Sequence, residues 1–518
     1  MCQLRHDGKT ADGSEEMRRV REQVKGTGDK RRDEVVERVL SLTRKRLRQR
    51  LAEKDHGILS IDEIEEIALE VRDEVGRAIA GELAKEESSR KAVESQTSKM
   101  GCSCGRKAWY HGDGERFVLT MVGLLTLTRR LYYCRVCDHC VIPADQALRL
   151  PKHLHTPQVE RTVGEVCVEV PSYERAMGLM ERLSGVGVSP KEAQRITDSI
   201  GEWAQQKNRE DVQRVLSRSK RSPHIRHRNP QALAEQVHDP AMIGYVLADG
   251  VMTPMRGGAY KEAKVGEVLL VRKSEQDQSQ WTKEHTEREP LAIVKKRYVH
   301  HLGEPDALGE QLYAEAARIG ICELSSLAAL GDGAAWIWRQ MKTHFPQAVQ
   351  ILDWQHATEH MYDAARFCIQ AALVAQKRNK AIDEEELSRI VEQWTEPVKE
   401  LMWNGKIEAV IRAVEALPAK SADAAKMISE TVNYYRNNQD RMRYDKFRAK
   451  GFRIGSGTIE SACKQIVGTR MKGPGMRWKE KGARAVGCLR AIRLAGTNYW
   501  DDFLSTWPGR GLELSHAA

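Results

Sequence analysis

The sequence predicts an α/β domain joined to helical segments, and the order of its apolar runs is the main reason. Three strand-like runs lie between residues 241 and 303, followed by a helical stretch, a fourth run, a short helix and a fifth run. This is the order of a ribonuclease-H-like domain. Residues 357–450 then read as almost entirely helical, which is too long for a connection and predicts a helical insertion. The five strand-like runs and the helix after the third are, in chain order, Ile243–Ala248, Val265–Lys273, Ile293–His300, Ala307–Ala317, Ser326–Ala329 and Val349–Leu352.

The length and composition indicate a globular protein of several domains. A chain of 518 residues is too long to fold around one hydrophobic core, so three or four domains are expected. Its 41% hydrophobic and 30% charged residues are typical of a globular protein. No apolar run reaches the roughly 18 residues of a membrane span, and Met1–Asp7 lacks the apolar region of a signal peptide. We therefore expect neither a membrane span nor secretion. The 11 cysteines then predict metal ligands rather than a disulfide framework.

The N-terminal 95 residues predict a charged helical region. Leu, Ile and Val recur there at three- and four-residue spacing around Ile58–Ala84. Residues 1–30, rich in Gly, Lys, Arg and Asp, are expected to be loose. Residues 1–100 hold 22 Lys and Arg against 22 Asp and Glu, a balance of zero, and contacts with DNA or with another subunit stay open for this region.

A small β domain is predicted at residues 96–150, and its cysteines point to a structural Zn²⁺. Two cysteine pairs bracket Arg116–Tyr133, a segment rich in alternating β-branched and aromatic residues. Pairs at tight turns that a hairpin joins can close a tetrahedral zinc site, and a metal stabilises so small a domain. His139 and Cys140 are spare donors, so the fourth ligand stays open, and scattered buried cysteines are the alternative to a zinc ribbon. The two pairs are Cys102 with Cys104 and Cys134 with Cys137.

Residues 151–230 predict a helix-turn-helix-like region. Tyr173–Leu183 forms an amphipathic helix that a glycine-rich turn ends, and Ser189 with Pro190 fits the N-cap and first position of a second helix. Two helices across a short turn match a DNA-binding helix-turn-helix, although any helical hairpin gives the same pattern. The side chains expected early in the second helix, where they would contact DNA, are Lys191, Gln194 and Arg195.

Three carboxylates on this strand pattern predict a metal site. Asp249 ends the first strand of the α/β domain before Gly250, and Asp332 ends the fourth strand-like run between two glycines. Glu460 falls in the first turn of a helix that Ser456 or Thr458 could cap. Phosphoryl transfer on DNA uses two divalent cations about 3.5–4 Å apart, and carboxylates on central strands and a later helix can hold them. An Asp–Gly pair alone usually marks only a turn, so the order of all three residues carries the prediction.

The domain boundaries follow from these assignments. Ser222–Pro230 reads as a linker into the core. The remaining boundaries are 238–356 and 451–500 for the two parts of the core, 357–450 for the helical insertion, and 501–518 for a C-terminal tail.

Positive charge is concentrated near the C-terminus. Residues 431–500 hold 16 Lys and Arg against 4 Asp and Glu, a net charge of +12 where the whole chain carries +10. Such a segment can neutralise phosphates and predicts a nucleic-acid surface. A solvated helix face is the alternative, but the few acidic residues within the segment disfavour a lattice of salt bridges.

Several segments resemble the ISKra-type insertion-sequence transposases, a group within the Mutator-like DDE superfamily. With the cysteine ribbon and the helical pair, the resemblance covers about residues 100–500. It implies a DDE-type DNA transposase that cleaves the ends of an insertion sequence and transfers its strands. The segments are Leu247–Met255, Gly331–Trp338, Asp353–Ala357 and Gly455–Lys464, with Gly468–Trp478 similar to the stretch that follows the catalytic glutamate of that group.

The resemblance also implies roles for single residues. Asp249, Asp332 and Glu460 would form the catalytic triad and hold two Mg²⁺ or Mn²⁺ ions. Asp353-x-x-His356 fits a Cys/Asp-x-x-His motif of the superfamily, so His356 would lie near the scissile phosphate, unless it is a structural histidine. The side chains expected to contact DNA near Glu460 are Lys464, Arg470, Lys472, Arg477 and Trp478, the last by stacking on a base unless it is core.

The implied partner is double-stranded DNA, both of the element ends and of the target. The resemblance further implies a homodimer or larger assembly on DNA, no membrane, and a cytoplasmic, nucleoid-associated location of bacterial type.

Functions of other classes remain open at this point. His356, Glu359 and His360 match the H-x-x-E-H pattern of inverted zinc proteases, a short pattern that arises often by chance. A DNA-binding regulator derived from a transposase is a second alternative, although all three carboxylates are present. A nuclease of the same fold would share the metal site and lack strand transfer.

Overall fold

The computed structural model describes residues 12–53, 58–94, 98–221, 241–273, 292–376 and 383–510. These residues divide into two compact units. The first holds the chain up to Val163, Ala176–Pro190 and the chain from Pro508, and the second holds Gly164–Arg175 and Lys191–Trp507. Within the described ranges, no helix is both long and apolar enough to cross a membrane. The linker predicted at 222–230 lies outside the described residues.

The first unit begins with two long helices, α1 (Asp12–Glu53) and α2 (Ile61–Glu94). They confirm the charged helical region, but α1 is already helical at Asp12, so the prediction of a loose segment up to residue 30 is wrong from that residue on. The helices run antiparallel, as their ion pairs show. These pairs are Arg38 with Glu82, Arg46 with Glu74 and Arg50 with Glu70.

A four-stranded sheet, here called the small sheet, follows in the first unit. Its strands are β1 (Lys99–Gly101), β2 (Lys107–Thr120), β3 (Gly123–Cys134) and β4 (His139–Val141). They pair antiparallel in the order β1-β2-β3-β4, which matches the predicted small β domain. The β2–β3 hairpin turns at Gly123, whose φ of 108° favours glycine. One face packs a small core that includes Ala108, Tyr132 and Val141.

Four helices lead towards the second sheet. They are α3 (Pro143–Ala147), α4 (Pro157–Glu169), α5 (Tyr173–Ser184) and α6 (Pro190–Arg221). As predicted, one helix ends just before Gly185 and the next begins at Pro190. The boundary between the two compact units falls within this region. The predicted helix-turn-helix region at 151–230 is therefore not a compact unit of its own.

The second unit contains a five-stranded sheet, here called the large sheet. Its strands are β5 (Met242–Pro254), β6 (Tyr260–Arg272), β7 (Ile293–His301), β8 (Leu327–Gly331) and β9 (Val349–Leu352). Their order is β7-β6-β5-β8-β9; β6 runs antiparallel to β5 and β7, whereas β5, β8 and β9 are parallel. Every residue of β8 is buried, which explains its continuous apolar sequence. The five predicted strands and their chain order are confirmed.

Helices connect and extend this sheet. α7 (Pro305–Ile319) joins β7 to β8, and α8 (Ala335–His344) joins β8 to β9, as predicted. The predicted insertion is helical throughout its described part, and its apolar faces join the core of the large sheet. Its helices are α9 (Trp354–Gln376), α10 (Glu384–Trp403), α11 (Ile407–Glu415), α12 (Ala422–Asn438) and α13 (Tyr444–Ala449).

The chain then returns to the large sheet. α14 (Gly457–Cys463) continues as a π-helical segment, Lys464–Gly468, and then come α15 (Glu480–Leu494) and α16 (Thr497–Ser505). The predicted tail at 501–518 is wrong in its first part, because residues 501–505 complete α16 and Trp507 is buried. The rest of that tail, from residue 511, lies outside the described residues.

Candidate functional site

Three aspartates lie where the parallel pairing of neighbouring strands ends, at one edge of the large sheet. Asp249 lies in β5 beyond its last pairing with β8, Asp332 directly follows β8, and Asp353 directly follows β9. The carboxyl ends of parallel strands share an edge, which is where open α/β sheets bind their ligands. The backbone N–H of Asp353 donates to the carbonyl of Gly331 at 2.9 Å, which ties the third aspartate to the end of β8.

Asp249 and Asp332 are oriented by their own turns and repel each other. Asp249 Oδ1 accepts the N–H of Gly250 at 2.6 Å, and Asp332 Oδ1 accepts the N–H of Ala334 at 2.9 Å. Burial raises the pKa of the Asp249 carboxyl, and the negative charge of Asp332 raises it further. Two mutually repelling carboxylates at a sheet edge favour a cation between them.

Asp353 holds His356 in a fixed orientation. Its fully buried carboxylate accepts the backbone N–H and the Nδ1 of His356, both at 2.9 Å. The Nδ1 hydrogen bond leaves Nε2 as the ring nitrogen available to a ligand. This hydrogen bond raises the pKa of His356 to about 9 against the opposing effect of burial, and the charge of Asp332 adds to the rise. The protonated form of this half-buried imidazole is therefore favoured beside the aspartates.

Glu460 reaches the same place from a distant part of the sequence. The backbone N–H of Ser456, which precedes α14, donates to Asp353 Oδ1 at 2.6 Å. One turn after Glu460, the thiol of Cys463 donates to Asp249 Oδ2 at 3.5 Å. The face of α14 that carries Glu460 and Cys463 is thereby held against the aspartates. A π-helical segment follows at once, a feature frequent at functional sites.

Sequence reasoning missed the role of Asp353. It used this residue only as the first position of the Asp-x-x-His pattern. The available signal was its position, because Asp353 follows the fifth predicted strand as directly as Asp332 follows the fourth.

The donor set suits a hard divalent cation. Asp249, Asp332 and Glu460 offer carboxylate oxygens, the ligands that Mg²⁺ prefers. Among the described residues, ligand atoms of Asp353, His356 and Glu460 lie within 4.8 Å of one another, whereas Asp249 and Asp332 do not form such a group with Glu460. Both oxygens of Asp353 already accept hydrogen bonds, however. Both oxygens of Asp249 likewise accept hydrogen bonds, from Gly250 and from Cys463, so hydrogen bonding does not separate the three predicted carboxylates from Asp353 as metal ligands.

The side chains after Glu460 differ from the prediction in two cases. Arg470 is only 2% exposed, its Nε donates to the carbonyl of Cys167 at 2.9 Å, and its guanidinium lies over the rings of Tyr173 and Trp478. Trp478 is also buried, and its Nε1 donates to the carbonyl of Met471 at 2.9 Å. Neither side chain is available to DNA. The predicted contacts that remain exposed are Lys464, Lys472 and Arg477.

The basic segment at 431–500 is more strongly paired than its own composition suggests. Its acidic partners come from other parts of the second unit, so the argument against salt bridges is wrong. The pairs include Arg436 with Glu415, Arg443 with Glu408, Lys481 with Glu202, and Arg490 and Arg493 with Glu169. The exposed cations for which the structure gives no ion pair are Lys446, Lys450, Lys464, Lys472, Arg477 and Lys479.

Two further sets of predicted residues behave differently. Lys191 and Arg195 are exposed at the start of α6 and Gln194 is half-buried, so their DNA contacts stay a prediction. The protease pattern does not assemble in the described part of the chain. The ring of His360 packs on Tyr434 with centroids 4.1 Å apart, and the exposed Glu359 accepts a hydrogen bond from Gln355. Among the described residues, His356 shares a group of potential metal ligands with Asp353 and Glu460, and His360 is not part of that group.

The four predicted cysteines converge at one end of the small sheet. The Sγ atoms of Cys102 and Cys137 lie 3.4 Å apart and those of Cys104 and Cys134 lie 3.7 Å apart, with all four within 4.8 Å. Four sulfurs at 2.3 Å from a tetrahedral zinc are about 3.8 Å apart, so the cluster fits Zn²⁺. The backbone N–H of Cys104 lowers the pKa of Cys102 to about 6, which favours the metal-binding thiolate. Cys140 stays outside this group.

One protein-family model matches most of the chain. It is described as Uncharacterised protein family (UPF0236) and matches residues 54–502. The matched range contains the cysteine cluster, the large sheet and α14. No curated protein matches the chain. The description of the family states no activity, so the function has to be argued from the site itself.

Proposed function

We propose that this chain, which belongs to the uncharacterised protein family UPF0236, is a DNA transposase that cleaves and joins phosphodiester bonds. The observation that carries the proposal is the meeting of Asp249, Asp332 and His356 at the carboxyl edge of the large sheet, with Glu460 on the helix beside them. The chain order of three strands, helix, strand, helix and strand supports the proposal of a ribonuclease-H-like core. The resemblance of four sequence segments to ISKra-type transposases narrows the reaction to transposition.

The chemistry divides between metal ions and protein groups. Two Mg²⁺ or Mn²⁺ ions held by Asp249, Asp332 and Glu460 would activate the attacking oxygen and neutralise the leaving oxygen. Asp353 fixes the ring of His356, and its hydrogen bond to Nδ1 favours the protonated imidazole. The Nε2–H of His356 can then donate to an oxygen of the scissile phosphate, where negative charge accumulates.

Binding of the DNA backbone requires positive charge to neutralise its phosphates. The exposed lysines and arginine that follow Glu460 in the sequence can supply this charge. Lys464, Lys472 and Arg477 are exposed and come within 17 residues of Glu460 in sequence. Each phosphate that they neutralise releases counterions, so binding should weaken as salt rises. The proposed partner is double-stranded DNA of the element ends and the target, bound by a dimer or larger assembly. The cysteine cluster holds a structural Zn²⁺ in this proposal.

The test is excision and insertion of a marker flanked by the DNA on either side of this gene. Wild-type protein is compared with Glu460→Gln, which keeps the size of the side chain and removes the metal-binding charge. We expect wild type to move the marker and Glu460→Gln to lose more than about a hundredfold in activity, since a bound metal contributes several kcal/mol to the transition state. Glu430→Gln, an exposed substitution on α12, is the matched control.

Binding of both proteins to the flanking DNA separates the alternatives. If Glu460→Gln binds like wild type but does not move the marker, the carboxylate site is catalytic. If neither protein moves the marker and both bind the flanks, the chain is a DNA-binding regulator. Cleavage of the flanks without joining would indicate a nuclease, and full activity of Glu460→Gln would refute the site.

A further inference from the structure

We propose that one face of the small sheet is a stacking platform for unpaired bases of single-stranded DNA. The face, here called the ring face, consists of Lys99, Lys107, Trp109, His111 and Tyr133. It belongs to the first unit and contains none of the carboxylates at the large sheet. The proposal therefore does not depend on the catalytic activity.

The strand register places these side chains in a row. Lys99 of β1 lies opposite Trp109 of β2, and Trp109 lies opposite Tyr133 of β3. Directly opposed residues of an antiparallel pair point to the same side of a sheet, with Cβ atoms about 5 Å apart. The ring of His111 lies with its centroid 5.7 Å from that of Tyr133. Three rings therefore follow one another across the sheet.

On the two faces of the small sheet, the small side chain is buried and the large one is exposed, which is the reverse of what a small core alone would require. Ala108, next to Trp109 in the strand, is fully buried on the core side, whereas Trp109 is 48% exposed. A domain short of apolar core gains more from burying its largest ring than from presenting that ring to water. The placement of Trp109 is accounted for if another molecule covers it.

The charge around the rings selects nucleic acid as that molecule. The Nζ of Lys99 lies 4.2 Å from the centroid of the Trp109 ring, and Lys99 and Lys107 are both exposed. Arg116 and Arg129 of the same sheet are paired with Asp145, so the cations that bear on the rings are Lys99 and Lys107. Cations that follow a backbone, combined with aromatic rings on which bases stack, are the features of single-strand binding. In a duplex the base faces are covered by their neighbours, so the rings favour unpaired DNA.

The experiment measures, by fluorescence anisotropy, how the full-length chain binds a fluorescein-labelled 20-nucleotide thymidine strand and a duplex of equal length. The buffer contains neither Mg²⁺ nor a chelator, so that the carboxylate site receives no added metal and the cysteine cluster keeps its zinc. Trp109→Ala should weaken binding of the single strand about five- to a hundredfold, the contribution of one stacked base. Trp109→Phe should retain most of the affinity because it keeps a ring. The double substitution Lys99→Ala with Lys107→Ala should lower the dependence of binding on salt.

Phe117→Ala is the matched control, because Phe117 lies on the same strand and is 51% exposed but outside the ring face. Zinc content and thermal unfolding identify any variant that fails to fold. If Trp109→Ala fails to fold, the affinities of Trp109→Phe and of the lysine double variant for the single strand test the proposal instead. Wild-type affinity in Trp109→Ala and in the lysine variant, or an equal loss in Phe117→Ala, would overturn the proposal. So would photocrosslinks from bromodeoxyuridine that map away from Trp109, His111 and Tyr133.

Discussion

Replacing Asp353 by asparagine would keep the shape of a fully buried side chain while removing its charge and one of its two acceptor oxygens. The carboxylate accepts three hydrogen bonds, from the N–H of Ser456 at 2.6 Å and from the N–H and Nδ1 of His356 at 2.9 Å each. An asparagine amide has one oxygen and one NH₂ group. Whichever way it is oriented, at least one of these donors faces another donor.

The magnitude follows from the bonds that are lost. A hydrogen bond to a charged group contributes about 1.5–3 kcal/mol. Loss of one or two of them in Asp353→Asn should lower the free energy of unfolding by about 2–6 kcal/mol. His356 would also lose the hydrogen bond that raises its pKa to about 9, so its pKa should fall towards the ordinary value of about 6.5 or below. At pH 8 the imidazole would then be neutral in the variant and charged in the wild type.

Urea unfolding of the full chain, followed by the marker assay, checks both effects. Asp383→Asn is the control, since Asp383 caps α10 through a hydrogen bond from Glu385 and is exposed. Asparagine caps a helix as well as aspartate does, so the control should change little. If Asp353→Asn unfolds at the same urea concentration as the control and moves the marker normally, Asp353 does not hold His356 and the segment before α14 in place.

Three further changes test other parts of the structure. Burial raises the pKa of Glu267 from 4.5 to about 7. Its protonated form therefore stabilises the fold fully below pH 4.5, and this stability is lost as the pH rises through 7. Each unit of pKa difference between the folded and unfolded chain corresponds to about 1.4 kcal/mol of unfolding free energy. Glu267→Gln should abolish that loss, which urea unfolding at pH 5 and pH 8 measures, and an unchanged difference between the two pH values would contradict the burial argument. Arg470→Ala should lower the unfolding temperature by removing the contact with Cys167, yet leave the salt dependence of DNA binding by the folded protein unchanged; a smaller salt dependence would restore Arg470 as a DNA contact. Cys134→Ser should reduce bound zinc from about one ion per chain to none by metal analysis, and retention of zinc would place the metal elsewhere.

The strands of the large sheet could be predicted because both faces of the sheet are covered. Residues of β8 are buried on either side, so the sequence shows an unbroken apolar run that ends at a glycine and Asp332. The same reasoning located the end of β9, but its prediction that Asp249 ends a strand is wrong, because β5 continues to Pro254 in its pairing with β6. It did not recognise Asp353, because the partner that gives this residue its role is Ser456, 103 positions away. A local pattern contains no sign of such a contact.

Charge was the least reliable guide to the surface. Counting residues within 431–500 suggested free cations, but Arg490 reaches Glu169, 321 positions away in the sequence. Arg470 was assigned to DNA because of its position after Glu460, while its burial depends on Tyr173 and Trp478 closing around it. Local sequence reports how much charge a segment has, and only the folded chain reports which of those charges remain for a partner.

The two ends of the helical insertion meet at Asp353. Besides the bond from Ser456, the N–H of Trp354 donates to the carbonyl of Ile454 at 2.9 Å, so the chain leaves the sheet and returns to it at one point. The insertion is thus a closed loop, and doubling the length of such a loop costs only about 0.6 kcal/mol of closure entropy. The connections between its helices can therefore change in length at little cost, whereas α12 stays tied to the site because the hydroxyl of Tyr434 donates to the carbonyl of Asp332 at 2.7 Å. The outer turns of the insertion are thus free to vary, while the helix faces that pack on the large sheet support the carboxylates.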